Sequence, residues 1–174
     1  MATDTKDWSV YAARRCDECG FDASAVDRDD IAAKVRVAAN DWAGFLRDSE
    51  AGELRERPAP QVWSPLEYGV HVRDVIRLFT DRVGQMLTMD SPGFPGWDQE
   101  AAAAAARYNE QDPGIVAEEV AADGDRLGRV VDGLAAGDWD RVGARETRQF
   151  TVEFLLRYLL HDVMHHWHDV GGEI

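Results

Sequence analysis

The chain has 174 residues, a hydrophobic share of 45%, six tryptophans and a formal net charge of −14. Its length and hydrophobic share predict one globular domain with a sizeable core and argue against intrinsic disorder. With 33 acidic against 19 basic side chains the surface repels phosphate backbones, so we expect no binding to DNA or RNA.

No segment predicts membrane insertion or export. No apolar run approaches the roughly 18 residues that a membrane span needs. The N-terminal stretch MATDTKDWSV lacks the basic and then apolar regions of a secretory signal. We therefore expect a cytoplasmic protein without a membrane partner.

Helical patterns dominate the chain, and no segment shows the sustained alternation of a strand. Residues 1–26 are predicted to form an irregular N-terminal extension, and residues 27–48 the first long helix. The second helix has the clearest start: SPLE (64–67) offers an N-cap serine, a proline at the first helical position and a glutamate at the third, which is a capping box. It is predicted to end near residue 89, before the prolines and glycines of SPGFPGW.

The second half of the chain predicts two more long helices. The alanine run 101–106 is a short helix, and residues 113–136 form the third long helix. An irregular connection, GDWDRVGARETRQ (137–149), leads to the last helix, 151–170, which starts at a threonine N-cap and ends before two glycines. The four long helices predict an all-α fold, an antiparallel four-helix bundle over residues 27–174.

Four of the five histidines lie in one short stretch, LLHDVMHHWHDV (159–170). His161 and His165 are four residues apart, so their imidazoles share a helix face and can converge on one ion. His71 lies on the apolar stripe of the second helix, and inward-facing histidines on neighbouring bundle helices can share a metal. We predict that His71, His161 and His165 bind a divalent metal ion. The alternative is a core histidine hydrogen-bonded to its surroundings and a histidine pair that binds no ion.

Other polar side chains lie near this predicted triad. His168 continues the histidine stripe and is a fourth ligand, a proton carrier or a cation that favours the helix C-terminus. His166 is predicted to face solvent or to support the ligands from outside. Asp74, one turn from His71, and Asp162 are candidates for orienting the ligand rings, with ordinary surface charge as the alternative.

Cys16 and Cys19 are the two cysteines of the chain. A CxxC followed by Gly-Phe resembles one half of a zinc ribbon, but without a second pair a site of four cysteine ligands within one chain is excluded. We predict two reduced thiols that pack the extension. A redox pair or an inherited half-site is the alternative.

The sequence resembles a known family in four places: WSPLEYGVHVRDV (63–75), WDQEAAAAAARYNEQDP (97–113), FTVEFLLRYLLHDVMHHWHDV (150–170) and CDECGFD (16–22). Together these segments resemble the DinB-like superfamily, which is related to the N-terminal domain of mycothiol-dependent maleylpyruvate isomerase. The last segment is similar to a branch from high-GC bacteria that carries CxECGFD. The resemblance implies an up-down-down-up bundle and a three-histidine site for a divalent ion, commonly zinc or nickel, at His71, His161 and His165.

The same resemblance implies an activity. The superfamily includes transferases that activate a small thiol, which is mycothiol in high-GC bacteria, so we expect a metal-dependent S-transferase or isomerase that acts on a small electrophile. The alternatives are a non-catalytic metal-binding or stress-associated protein and a metal-dependent hydrolase. Dimers are common in the superfamily, and a homodimer is expected only by that analogy. Relatives in this branch have a hydrophobic residue and then tryptophan where this chain has Trp167 and His168, which leaves the role of His168 open.

Overall fold

The computed structural model describes residues 7–174, and residues 1–6 of the predicted N-terminal extension lie outside the described residues. Within residues 7–174 the α-helices are α1 (Ile31–Asp48), α2 (Ala51–Arg55), α3 (Pro65–Thr88), α4 (Gln99–Ala105), α5 (Pro113–Asp132) and α6 (Val152–Asp169). The described part of the extension consists of loops and the 3₁₀ turns Trp8–Ala12 and Ala23–Ala25. A further 3₁₀ turn, Arg28–Asp30, precedes α1, which therefore begins four residues later than predicted. None of the helices in this part of the chain combines the length and the apolar character that a bilayer span requires.

The helix starts form as the sequence predicts. The Ser64 hydroxyl accepts a hydrogen bond from the Glu67 backbone N–H at 3.2 Å, and the Glu67 carboxylate accepts one from the Ser64 N–H at 2.8 Å. This capping box satisfies two backbone donors that a helix end leaves unpaired. The Thr151 hydroxyl likewise accepts from the Phe154 N–H at 3.1 Å and begins α6.

The directions of the helices follow from the order in which their residues meet. Along α1 and α5 the order is reversed, because Gly124 faces Ala39 while Arg36, nearer the start of α1, pairs with Asp132. These two helices are therefore antiparallel. The α3–α5 ion pairs advance in step, as Arg73–Glu119 and Arg77–Asp123, so these two helices are parallel.

The contacts of α6 give its direction relative to α3 and α1. Along α3 and α6 the order is reversed, as shown by the contacts His71–Asp162 and Phe79–Tyr158, so this pair is antiparallel. Along α1 and α6 the contacts Trp42–Val163 and Phe45–Trp167 advance in step, so this pair is parallel. The long helices α1, α3, α5 and α6 thus run up, down, down and up, which confirms the predicted bundle topology.

The sequence predicts no helix where the short α2 lies, and it predicts an irregular connection between α5 and α6. The structure has an antiparallel hairpin of β1 (Val142–Arg145) and β2 (Arg148–Thr151) there. The backbone of Ala144 in β1 also accepts a hydrogen bond from the Phe94 N–H at 2.6 Å and donates one to the Pro92 carbonyl at 2.9 Å. The hairpin therefore holds the loop between α3 and α4.

Candidate metal centre

The histidine run of α6 contains two overlapping pairs of potential metal ligands. His161 and His165 form one pair, and Asp162 and His166 form the other, each four residues apart. One residue along an α-helix turns the side-chain direction by about 100°, so the two pairs face different neighbours. The first pair meets the N-terminal extension, and the second meets α3.

The group facing α3 consists of His71, Asp162 and His166, whose ligand atoms lie within 4.8 Å of one another. His71 Nε2 is 3.4 Å from Asp162 Oδ2, and His166 Nε2 is 4.0 Å from the same oxygen. Among the described residues, Nδ1 of His71 has no hydrogen-bond partner, and the 3.4 Å contact between His71 Nε2 and Asp162 Oδ2 does not have the geometry of a hydrogen bond. Buried polar atoms are normally hydrogen-bonded, so unsatisfied ones call for an explanation, and a bound ion is one of those known.

Aromatic side chains surround this group. The His71 ring contacts Trp63, with centroids 5.1 Å apart, and Trp97, which stacks on it at 5.3 Å with an interplanar angle of 14°. The ring of Tyr68 contacts His166 at 5.0 Å. His71 is 1% exposed, whereas the side chains of Asp162 and His166 are 20% and 18% exposed, so these two residues are the less buried members of the group.

The charges suit metal binding. Burial lowers the pKa of His71, so its imidazole is neutral, as a metal ligand must be. Burial raises the pKa of Asp162, but the neighbouring His71 and His166 lower it more, so the carboxyl is ionised at neutral pH. Asp169 Oδ2 lies 3.0 Å from His166 Nδ1 and fixes that ring from outside.

The second group consists of Cys16, Cys19, His161 and His165, whose ligand atoms also lie within 4.8 Å of one another. All four residues are buried, and both cysteines are free thiols. Cys16 Sγ is 3.8 Å from His165 Nδ1. Burial raises the pKa of the Cys19 thiol to about 11, and burial lowers the pKa of His165.

The three predicted ligands are therefore divided between the two groups. His161 and His165 do lie together, as their spacing predicts, but their partners within 4.8 Å are the two cysteines, whereas His71 lies with Asp162 and His166. The predicted triad of one histidine from α3 and the 161/165 pair stays a prediction. His168 is exposed in the last turn of α6 and belongs to neither group within residues 7–174.

The two aspartates predicted to orient the ligand rings have different environments. Asp74 accepts hydrogen bonds from the Tyr108 hydroxyl at 2.7 Å and from Arg73 Nε at 2.8 Å. Tyr108 in turn contacts Trp63 with ring centroids 6.2 Å apart. Asp74 therefore contacts an aromatic residue that packs beside the group, and it is not a member of the group. Asp162 lies inside the group itself.

The sequence signals that point to His166 and to the two cysteines are less obvious than the HxxxH spacing. His166 was expected to face solvent or to act from outside, but its ring lies 4.8 Å from the ring of His71. The available signal was the second i, i+4 pair, Asp162 and His166, which the more obvious HxxxH spacing obscured. For the cysteines the signal is a CxxC in a chain that also contains HxxxH, two pairs of potential ligands.

Comparisons with known proteins agree with this fold. The family model described as the DinB superfamily matches residues 34–170, so the chain belongs to that superfamily. No curated protein matches the chain. Among solved structures, YfiT from Bacillus subtilis, described as a probable metal-dependent hydrolase with an unusual four-helix bundle topology, superposes with a TM-score of 0.71 at 15% identity. The match covers 84% of this chain and 89% of YfiT, and it shows a shared fold.

Proposed function

We propose that this chain is a metal-dependent enzyme whose divalent ion is bound by His71, Asp162 and His166. The supporting observation is that two imidazoles and a carboxylate converge while the buried atoms of His71 and Asp162 lack hydrogen bonds. Zinc and nickel both accept imidazole ligands, and zinc sites of two histidines and a carboxylate are well known. Three protein ligands leave positions for water or substrate, which is the pattern of catalytic sites.

The side chains around the ion prepare the site before any substrate binds. Held by His71, Asp162 and His166, a divalent ion would lower the pKa of a water or thiol and so supply a nucleophile near neutral pH. Trp63 and Trp97 both pack against the ring of His71. Asp169 at Nδ1 of His166 leaves Nε2 of that ring directed at Asp162.

The nucleophile that we propose is a small thiol, mycothiol, which the enzyme transfers to an electrophile in the reducing cytoplasm. Membership of the DinB superfamily and the resemblance to its thiol-dependent transferases support this choice. The aromatic side chains of Trp63, Tyr68 and Trp97 favour an electrophile with an apolar or aromatic part.

Hydrolysis by an activated water is the second candidate function. Two histidines and a carboxylate also hold the zinc of hydrolytic enzymes, and the same site would serve that reaction. The description of YfiT as a probable metal-dependent hydrolase favours this candidate.

A substrate panel separates the two functions. Protein loaded with zinc or with nickel is incubated with small electrophiles, with and without mycothiol, and with small esters and amides. We expect mycothiol-dependent consumption of an electrophile that a chelator abolishes. Metal-dependent hydrolysis without thiol would favour the second function. Absence of turnover in every arm, from protein that contains metal, would refute the enzymatic proposal.

A set of variants tests the ligand assignment. His166→Ala and Asp162→Asn should each reduce turnover by about 100-fold or more, since even the outer partners of metal ligands are worth about 10–100-fold. His168→Ala is the matched control, because this exposed histidine lies on the same helix outside the proposed site. Full activity and full metal content in both His166→Ala and Asp162→Asn would favour the triad that the sequence predicts.

A further inference from the structure

The four buried side chains between the N-terminal extension and α6 form a donor set without a role in the proposed activity. Cys16, Cys19, His161 and His165 are 1%, 6%, 1% and 7% exposed. Two thiols and two imidazoles that all lie within 4.8 Å of one another are an unusual collection for a hydrophobic core. They belong to segments far apart in the sequence, so only the fold brings them together.

The local structure of each half favours metal binding. In the extension, the Gly20 N–H donates to the Cys16 carbonyl at 3.0 Å and the Cys16 N–H donates to the Phe21 carbonyl at 2.9 Å, which closes a tight turn around the CxxC. Gly20 has a φ of 79°, a conformation that a residue with a side chain adopts only with strain. In α6, the helical spacing of His161 and His165 puts both imidazoles on one face.

We propose that Cys16, Cys19, His161 and His165 bind one zinc ion as a closed, four-coordinate structural site. Zinc–sulfur bonds of about 2.3 Å and zinc–nitrogen bonds of about 2.0–2.1 Å place tetrahedral ligands about 3.3–3.8 Å apart. The present separations of up to 4.8 Å need only a small contraction to reach that geometry. Four protein ligands leave no position for substrate, which distinguishes this site from the three-ligand group beside it.

The surroundings of His165 support this assignment. Its Nδ1 faces Cys16 Sγ at 3.8 Å, while its Nε2 lies 3.8 Å from a carboxylate oxygen of Glu18 and 3.8 Å from one of Asp169. Metal-bound histidines almost always direct their second nitrogen to a carboxylate, a carbonyl or water. One nitrogen of His165 therefore faces the donor set and the other faces acidic groups.

The zinc site would fasten the extension to the bundle. The rings of Trp8 and Tyr11 already pack on the histidines, with centroids 4.6 Å from His165 and 4.9 Å from His161. Metal binding in such a site contributes directly to folding free energy, because the unfolded chain has no preformed site. Removal of the zinc should release the extension and expose it to proteases and to hydrogen exchange.

X-ray absorption at the zinc edge tests the site without any substitution. Full-length protein purified without chelators and loaded with zinc should show zinc bound by two sulfur atoms at about 2.3 Å and by nitrogen at about 2.0–2.1 Å. If the group of His71, Asp162 and His166 also holds zinc, the average falls to one sulfur ligand per zinc, but the sulfur signal does not disappear. A spectrum without sulfur ligands, or a disulfide between the cysteines in protein kept reduced, would overturn the proposal.

Variants separate this inference from the proposed function, on which it does not depend. Cys16→Ser with Cys19→Ser should lose about one zinc per chain and all sulfur ligation, and the extension should be cleaved faster by a protease. His71→Ala should keep the sulfur-bound zinc although it disrupts the other group. His168→Ala, the control, should keep the wild-type zinc content. Unchanged zinc in the double serine variant would refute the site, whereas loss of turnover in His71→Ala bears only on the proposed function.

Discussion

Replacing Gly124 by alanine should force α1 and α5 apart. A Cβ atom at Gly124 would lie 2.2 Å from the Cβ of Ala39, whereas carbon atoms in contact are about 3.5–4.0 Å apart. The helix axes must therefore separate by about 1.5 Å, because neither methyl group has a rotamer that relieves the clash. Overpacking of this kind costs about 1–3 kcal/mol, and the higher helix propensity of alanine returns about 1 kcal/mol. The difference is a net destabilisation of up to about 2 kcal/mol.

The effect is measured by urea unfolding followed by circular dichroism at a fixed zinc concentration, since bound metal contributes to stability. The double variant Ala39→Gly with Gly124→Ala is the matched control, because it moves the methyl group from one helix to the other. Its stability should return to within about 1 kcal/mol of the wild type. With Ala39→Gly measured alone, the cycle should give a coupling energy of about 1–3 kcal/mol, the size of the overpacking cost. A Gly124→Ala protein that is about 1 kcal/mol more stable than the wild type would show that helix propensity alone acts there.

Three further predictions concern the elements around the two groups. Burial raises the pKa of Glu67, but hydrogen bonds from Arg57 and from the Ser64 N–H hold it below its ordinary value of 4.5. Glu67→Gln should therefore lower the free energy of unfolding by about 1–2 kcal/mol at pH 7. This difference in stability from the wild type should vanish as the pH falls below 4.5 and through the lower pKa of the folded state. A stability difference that does not depend on pH would contradict this account. Tyr108→Phe removes the hydrogen bond to the Asp74 carboxylate and should lower the free energy of unfolding by about 1–2 kcal/mol, while the metal content stays the same. An unchanged melting temperature would contradict this prediction. Gly20→Ala strains the CxxC turn and should weaken zinc retention in a chelator competition assay, and equal retention would show that the turn tolerates a side chain.

The two groups of potential ligands take residues from the same turn of α6. His161 and Asp162 are adjacent in sequence but belong to different groups. A substitution at either position changes the environment of the other group through the same turn of α6. Activity and zinc content must therefore be measured together for every variant in this turn.

The sequence determined the helices and most of their ends. The capping box at Ser64, the threonine cap at residue 151 and the apolar stripes specify where helices start and which side they bury, because these signals act within a few residues. The hairpin of β1 and β2 was not predictable in this way. Each strand has four residues with no apolar alternation, and its pairing is stabilised by the loop that carries Phe94, far away in the sequence.

Only the tertiary structure decided how the donors are grouped. The sequence HDVMHH contains two i, i+4 pairs, and local chemistry gives no preference for which of them faces α3. That choice depends on the rotation of α6 about its own axis, which the packing of Trp42 and Phe45 in α1 against Trp167 helps to fix. The position of Cys16 and Cys19 beside the first pair depends likewise on how the extension folds back over the bundle. The sequence supplied the donor atoms, and long-range packing assigned each of them to a partner.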